Sequence, residues 1–124
     1  MPTVDLTAET FDSTIRDNPI VLVDFWAPWC APCHMFDPVY ATASARHDGI
    51  VFGKVDTDSQ RELAIGLGIV SIPTLMAFRD GKRVKTAADA LPPRALEKFI
   101  ADVRSIDMAT FGRDPIDDIP DLDM

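Results

Sequence analysis

Both cysteines of this 124-residue chain fall inside one eight-residue stretch, WAPWCAPC at residues 26–33. A nearly continuous apolar run, residues 20–26, leads into it, and a segment with apolar residues at helical spacing, residues 34–46, follows it. A continuous apolar run is typical of a central strand covered on both faces. The sequence therefore places two cysteines, separated by two residues, at a strand-to-helix corner, where they fit a redox pair better than a structural disulfide.

The remaining sequence predicts strands and helices in alternation. Short apolar runs bounded by turn residues predict strands at residues 3–6, 20–26, 50–55, 74–79 and 82–87. Asp80-Gly81, between the last two, is a strong signal for a hairpin. Apolar residues at helical spacing predict helices at residues 7–17, 34–46, about 60–67 and 93–103. This order indicates an α/β fold, a mixed sheet with helices on its faces.

The charge of the chain is concentrated at its carboxyl end. Residues 107–124 contain six Asp and one Arg, a net charge of −5 out of a total of −8. We therefore divide the chain into a domain, residues 1–106, and an acidic tail, residues 107–124, whose composition does not favour a packed fold. The simplest interpretation of the tail is a solvated extension; the alternative is that it binds or masks a basic partner.

Charge and composition also limit where the protein is expected to be located and which classes of partner it is expected to bind. The net charge of −8 argues against nucleic acid and anionic membrane surfaces as partners. The chain shows no signal-peptide pattern, and no apolar run approaches the ~18 residues that a transmembrane helix needs. We therefore expect a cytoplasmic protein, in a compartment where cysteines stay reduced unless they act as redox groups. We also expect a monomer.

The predicted corner gives the two cysteines different roles. Cys30 would face the free N–H groups at the helix start, which can lower a thiol pKa from ~8.5 to roughly 3.5–7.5. The thiolate of Cys30 would attack a substrate disulfide, and Cys33, one turn deeper, would resolve the mixed disulfide. Asp24, the one carboxylate in the apolar strand, should have a raised pKa and could accept the proton of Cys33.

Other interpretations of these residues stay open at this point. Asp24 could be a core carboxylate with no part in catalysis. A Cys-x-x-Cys pair can be half of a zinc site, although the chain offers only His34 and His47 as further nitrogen ligands, and it can bind an iron–sulfur cluster across a dimer. We expect no metal site, and we interpret both histidines as solvated surface residues.

Taken together, these residues resemble the thioredoxin family. The matching segments are VDFWA at 23–27, WCAPC at 29–33, Pro38, KVD at 54–56, SIPT at 71–74 and the Asp80-Gly81 hairpin. The resemblance covers residues 3–106 and implies a three-layer sandwich, with helices on both faces of a mixed five-stranded sheet in the order 1-3-2-4-5. It also implies a cis peptide bond between Ile72 and Pro73.

The resemblance implies roles for further residues. Lys54 matches the lysine that tunes the buried acid. Trp29 matches the tryptophan that flanks the reactive thiol, with Trp26 packed beneath it. The remaining positions belong to the surface that binds substrate, and they are Ala31, Pro32, Ile72, Pro73 and Asp89. Ala31 and Asp89 depart from the family pattern, because each stands where the family usually has glycine.

The activity that the resemblance implies is that of a protein disulfide reductase, a thiol–disulfide oxidoreductase with a WCAPC active site. It would act on oxidised proteins and carry no tightly bound cofactor. Its reducing equivalents would come from NADPH through a thioredoxin reductase. One alternative is a specialised thioredoxin-like oxidoreductase with a narrow set of partners, for which Ala31 and Asp89 would be the reasons. The other is a binding subunit whose function does not need the cysteines.

Overall fold

The computed structural model describes residues 3–111, which form an alternating α/β domain. Its strands are β1 (Thr3–Asp5), β2 (Ile20–Trp26), β3 (Val51–Asp56), β4 (Thr74–Arg79) and β5 (Lys82–Ala87). Its helices are α1 (Phe11–Asp17), α2 (Ala31–Arg46), α3 (Arg61–Gly66) and α4 (Pro93–Ser105). The predicted element order is confirmed, and β2, β4 and β5 have the predicted bounds.

The five strands form one mixed sheet in the order β1-β3-β2-β4-β5. Strand β3 pairs in parallel with both β1 and β2, whereas β4 is antiparallel to β2 and to β5. This is the strand order implied by the resemblance. It puts β2 at the centre of the sheet, so the loop that follows β2 and contains both cysteines begins from the middle of the domain.

Both faces of the sheet are covered, which explains the continuous apolar sequence of β2. Leu22 belongs to a core cluster shared with α2 and α4, whereas Val21 and Val23 belong to a cluster on the other face with α1. All three side chains are buried. Alternate residues of β2 therefore serve opposite cores, and the domain has three layers, as predicted.

Helix α1 begins at Phe11 with Thr10 at the cap position, whereas Thr7 was predicted as the cap. The hydroxyl of Thr7 accepts the N–H of Glu9, and the carbonyl of Thr7 accepts the N–H groups of Thr10 and Phe11. The hydrogen bonds of Thr7 thus form a separate turn ahead of the helix, and the helix starts only after Thr10. None of the helices in residues 3–111 is long and apolar enough to cross a membrane.

The carboxyl end of α4 is fixed to the sheet by Arg79, the last residue of β4. A guanidinium nitrogen of Arg79 donates to the carbonyl oxygens of Val103, Arg104 and Ile106, at 3.0, 3.2 and 3.2 Å. Residues 107–111 then form a hydrogen-bonded turn, in which Asp107 accepts the N–H of Phe111 at 3.0 Å. The remainder of the predicted acidic tail, residues 112–124, lies outside the described residues.

Candidate active site

The two cysteines lie at the junction of β2 and α2, as predicted. Cys30 is the residue before the first turn of α2; its backbone is extended, and its Sγ accepts the N–H of Cys33 at 3.2 Å. Pro32 lies in that first turn, where its missing N–H leaves no hydrogen bond unmade. Because Cys30 supplies the cap, the helix starts at Ala31, as expected from Cys30 at the corner and Pro32 in the first turn, and it continues through the apolar spacing of residues 34–46.

Cys30 and Cys33 form a disulfide, with their Cα atoms 5.3 Å apart. Both are buried, with 4% and 2% of their surface exposed, and they pack with Ala27. In the disulfide, the Cys30 sulfur already accepts the N–H of Cys33 at the start of α2, a position where N–H groups can stabilise a thiolate. The disulfide therefore lies at a helix end that favours the negative charge of a thiolate, the form needed for its reduction and re-formation.

The loop before β4 closes the other side of the disulfide. The Ile72–Pro73 peptide bond is cis, as the resemblance implied. The carbonyl oxygen of Ile72 lies 3.9 Å from the Sγ of Cys30. Two segments about 40 residues apart in the chain thus meet at the sulfur, because their strands β2 and β4 are neighbours in the sheet.

Asp24 lies in the middle of β2, behind the disulfide. Only 1% of its surface is exposed, and neither carboxylate oxygen has a hydrogen-bond partner among the described residues. Burial raises the pKa of Asp24 to about 7; the positive charge of Lys54 opposes the rise, and the negative charge of Asp37 adds to it. At neutral pH the side chain is therefore poised between its two protonation states.

Lys54 is the partner of Asp24 in the β2–β3 register. Its ammonium forms an ion pair with Asp37 and lies 4.8 Å from the centre of the Trp26 ring. It acts on Asp24 through space, since no hydrogen bond joins the two side chains among the described residues. Lys54 lowers the pKa of Asp24, but the effect of burial is larger.

These groups share one cavity of about 150 Å³. Its lining residues are Asp24, Trp26, Cys33, His34, Asp37 and Lys54. A cavity of this volume with several polar groups has room for more than one water molecule. It connects the buried carboxyl with the deeper cysteine, and it includes His34, which is exposed to solvent as predicted. The helical spacing of His34 and Asp37, three residues apart, was the signal that could have placed both on one face.

The outer surface beside Cys30 combines apolar and acidic side chains. Trp29 has 71% of its surface exposed, and its indole Nε1 donates to the carboxylate of Asp58 at 3.0 Å. Asp58 was not predicted, because the contact joins residues 29 positions apart in the chain. Ala31 and Pro32 are exposed next to Trp29.

Asp89 is exposed two residues beyond the end of β5, and its Oδ1 accepts the N–H of Ala90 at 2.8 Å. Ala87 pairs with Leu75, so the chain beyond β5 runs past the start of β4 and toward the Pro73 loop. Asp89 thus belongs to the same end of the sheet as the disulfide. Within residues 3–111, no three His, Cys, Asp or Glu side chains come together in a way that could hold a metal ion.

A disulfide that opens a helix after the central strand of this sheet, and that faces the loop before β4, defines a thiol–disulfide oxidoreductase of the thioredoxin fold. The thioredoxin family model matches residues 2–102. A candidate thioredoxin 2 of Streptomyces coelicolor is 52% identical over 106 residues, 86% of this chain and 79% of the relative. A thioredoxin of Porphyra purpurea is 43% identical over 102 residues, 81% of this chain and 95% of the relative.

Solved structures agree with the family match. A mutant thioredoxin from Halobacterium salinarum superposes with a TM-score of 0.78 at 32% identity, covering 85% of this chain and 93% of its own. A Plasmodium falciparum thioredoxin superposes with a TM-score of 0.75 at 35% identity, covering 81% and 97%. The chain belongs to the thioredoxin family. It is a thiol–disulfide oxidoreductase that performs dithiol–disulfide exchange through the Cys30–Cys33 pair.

Proposed function

We propose that this protein is a protein disulfide reductase in which Cys30 is the nucleophile and Cys33 the resolving cysteine. The observation that supports these roles is the position of Cys30 at the start of α2, with the Cys33 N–H 3.2 Å from its sulfur. The Cys30 thiolate attacks a substrate disulfide, and one substrate sulfur leaves as a thiolate. Cys33 then attacks the Cys30 sulfur, and the second substrate sulfur leaves. Two electrons pass to the substrate, and the Cys30–Cys33 bond forms.

In this proposal Asp24 accepts the proton that Cys33 loses before it attacks. Support comes from the cavity that both residues line and from the pKa of Asp24, raised to about 7. A base is most effective when its pKa lies near the working pH. Lys54 tunes Asp24, because its charge lowers a pKa that burial would otherwise raise further.

The proposed substrate surface is formed by two segments on either side of Cys30. Trp29, Ala31 and Pro32 lie on the side of β2 and α2. Ile72 and Pro73 lie on the opposite side, where the backbone of Ile72 can pair with an extended substrate like an added strand. The residues between the cysteines, Ala31 and Pro32, are proposed to set the redox poise.

The thioredoxin family acts with a reductase and on oxidised proteins. We propose that electrons reach this protein from NADPH through a thioredoxin reductase, and that the protein has no tightly bound cofactor, works as a monomer and is cytoplasmic. The acidic residues 107–124 are proposed to take no part in the exchange reaction.

Reduction of insulin disulfides tests the proposal, first with dithiothreitol and then with NADPH and a thioredoxin reductase as the electron source. The wild type should be active in both assays. Cys30→Ser should abolish the activity, whereas Cys33→Ser should accumulate a mixed disulfide on Cys30. Activity with dithiothreitol alone would contradict recycling by that reductase, and full biological function of a Cys30→Ser, Cys33→Ser double variant would favour the redox-independent binding subunit.

A second candidate is the specialised oxidoreductase with few partners, and the exposed carboxylate of Asp89 favours it. A negative charge at this end of the sheet should repel substrates with acidic residues beside their disulfide. Paired peptide disulfides, flanked by Glu in one case and by Lys in the other, measure this effect. Asp89→Gly should speed the reaction of the Glu-flanked peptide more than that of the Lys-flanked peptide. Equal changes for the two peptides would remove this reason for specialisation.

A further inference from the structure

His34 lies in the first turn of α2, directly after Cys33, and it contacts three parts of the site. Its Nε2 lies 2.6 Å from the carbonyl oxygen of Pro28, in the loop ahead of Cys30. Its ring meets the Trp26 ring edge-on, with the centroids 6.4 Å apart. His34 also lines the cavity that contains Asp24 and Cys33, although the residue is exposed to solvent. It therefore connects the cavity with the outside.

The hydrogen bond to Pro28 determines how the imidazole can carry a proton. A carbonyl oxygen only accepts, so Nε2 must be the donor in this bond. In the neutral ring Nδ1 then has a free lone pair and can accept a proton. When Nδ1 is protonated, Nε2 remains a donor and the bond to Pro28 persists. The ring can thus take up and release a proton without loosening the loop ahead of Cys30.

A proton taken up by Asp24 cannot pass straight to bulk water, because only 1% of the Asp24 surface is exposed. The titratable and charged groups that face the cavity come from β2, α2 and β3, and they are Asp24, Cys33, His34, Asp37 and Lys54. Asp37 and Lys54 are paired with each other. His34 also lines this cavity, is exposed to solvent, and has an imidazole that can both accept and donate a proton, so it is the group through which the cavity can exchange protons with solvent.

We propose that His34 is the relay residue that transfers the proton of Cys33, after its passage to Asp24, to solvent. The proton moves from the Cys33 thiol to the Asp24 carboxylate, through cavity water to Nδ1 of His34, and then to bulk water. There it becomes available to the substrate thiolates that leave. His34 ends each turnover unchanged, and no electron passes through it. The proposal rests on the proposed role of Asp24 as the first acceptor.

The test compares His34→Gln with the wild type in single turnovers of the reduced protein with a peptide disulfide. Gln keeps a side-chain N–H for the carbonyl of Pro28 but cannot relay a proton. Acid quenching and mass spectrometry follow the decay of the mixed disulfide from about pH 5.5 to about pH 9, the range over which histidine and the thiols change charge. We expect decay about tenfold slower in His34→Gln, at the lower end of what proton transfer by a side chain contributes. Imidazole added to the buffer should restore the rate of the variant and leave that of the wild type unchanged.

Two results would overturn the relay. One is a His34→Gln variant with the decay rate and pH profile of the wild type. The other is a slow variant that imidazole does not rescue, since a purely structural role for the Pro28 contact would give that result. His34→Asn provides a second non-titrating side chain should the Gln variant fold poorly.

The Asp24→Asn variant distinguishes a failure of the relay through His34 from a failure of the proposed role of Asp24. If Asp24→Asn slows the decay and His34→Gln does not, only the relay fails. If neither variant slows it, the proposed role of Asp24 fails as well. If both act on one proton path, the double variant should be no slower than Asp24→Asn alone.

Discussion

Lys54 pairs with Asp37 rather than with Asp24, its partner in the β2–β3 register. The buried carboxyl of Asp24 thus shares its cavity with one positive and one negative charge that are paired with each other. Burial dominates its pKa, and the two neighbours act in opposite directions. The protonation of Asp24 can therefore be adjusted from either residue without any change to Asp24 itself.

Asp37→Asn should lower the pKa of Asp24 below about 7, and Lys54→Met should raise it. The first variant removes a negative charge that disfavours the carboxylate, and the second removes a positive charge that favours it. Carbon-13 NMR titration of the Asp24 carboxyl in the oxidised protein measures both shifts. Asp102→Asn, on α4, is a charge-matched control and should leave the titration unchanged. Shifts of the same sign in the two cavity variants would contradict this account.

Asp24→Asn should flatten the pH dependence of stability. The pKa of Asp24 rises from 3.8 to about 7 on folding, so its protonated form stabilises the fold fully below pH 3.8. That stability is lost as the pH rises through about 7, because the folded state must then bury a charge. At about 1.4 kcal/mol per pKa unit the loss is about 4 kcal/mol, an order-of-magnitude figure. Urea unfolding of the oxidised protein from acid to alkaline pH checks this; parallel curves for the wild type and Asp24→Asn would refute it.

Gly53→Ala should destabilise the domain by roughly 1–3 kcal/mol, the usual effect of overpacking a core. A Cβ at Gly53 would lie 2.5 Å from Cδ1 of Leu6, a buried side chain between β1 and α1. Gly66→Ala is the matched control, since nothing lies within 4 Å of its Cβ position at the end of α3. That control should be neutral or stabilising by up to about 1 kcal/mol. Equal free energies of unfolding for the two variants would show that Leu6 moves aside at no cost.

Arg79→Met should loosen the end of α4. Met replaces the aliphatic part of the Arg79 side chain but has no N–H group. The variant therefore removes the donor shared by the carbonyls of Val103, Arg104 and Ile106. Hydrogen bonds from a charged donor contribute about 1.5–3 kcal/mol, and we expect a loss of that order. Hydrogen exchange should quicken in the last turn of α4 and stay unchanged in β2. Lys82→Met, at the register partner of Arg79, is the control and should show neither effect.

Local patterns in the sequence were sufficient to predict the order of the helices and strands along the chain. The apolar run of β2 and the Asp80-Gly81 turn set boundaries that agree with the structure, and both turn residues have positive φ angles, 52° and 83°. The start of α1 was predicted wrongly, because Thr7 makes its hydrogen bonds in a separate turn. The order of the strands is a long-range property, and it came only from the family resemblance.

For the site, the sequence indicated the cysteine pair and the carboxylate of Asp24. Both cysteines of the chain lie in one short stretch, and Asp24 is the one carboxylate in an otherwise apolar strand. It did not indicate His34 at the cavity or Asp58 beside Trp29. These positions depend on which side chains from different elements meet, and that is decided by packing rather than by spacing along the chain. The ion pair between Lys54 and Asp37 is of the same kind.

The anchor at Arg79 has a practical consequence for anything attached to the carboxyl end of the chain. Strand β4 starts next to Pro73, at the disulfide, and ends at Arg79, which holds the carbonyl of Ile106. Six residues at about 3.3 Å each separate these ends by roughly 20 Å. A fusion partner, fluorophore or solid support joined at the end of α4, in place of residues 107–124, would be tethered on the side of the domain remote from the sulfurs. Such a conjugate should leave the redox face open to large protein clients, which suits the molecule to use as an immobilised reducing reagent.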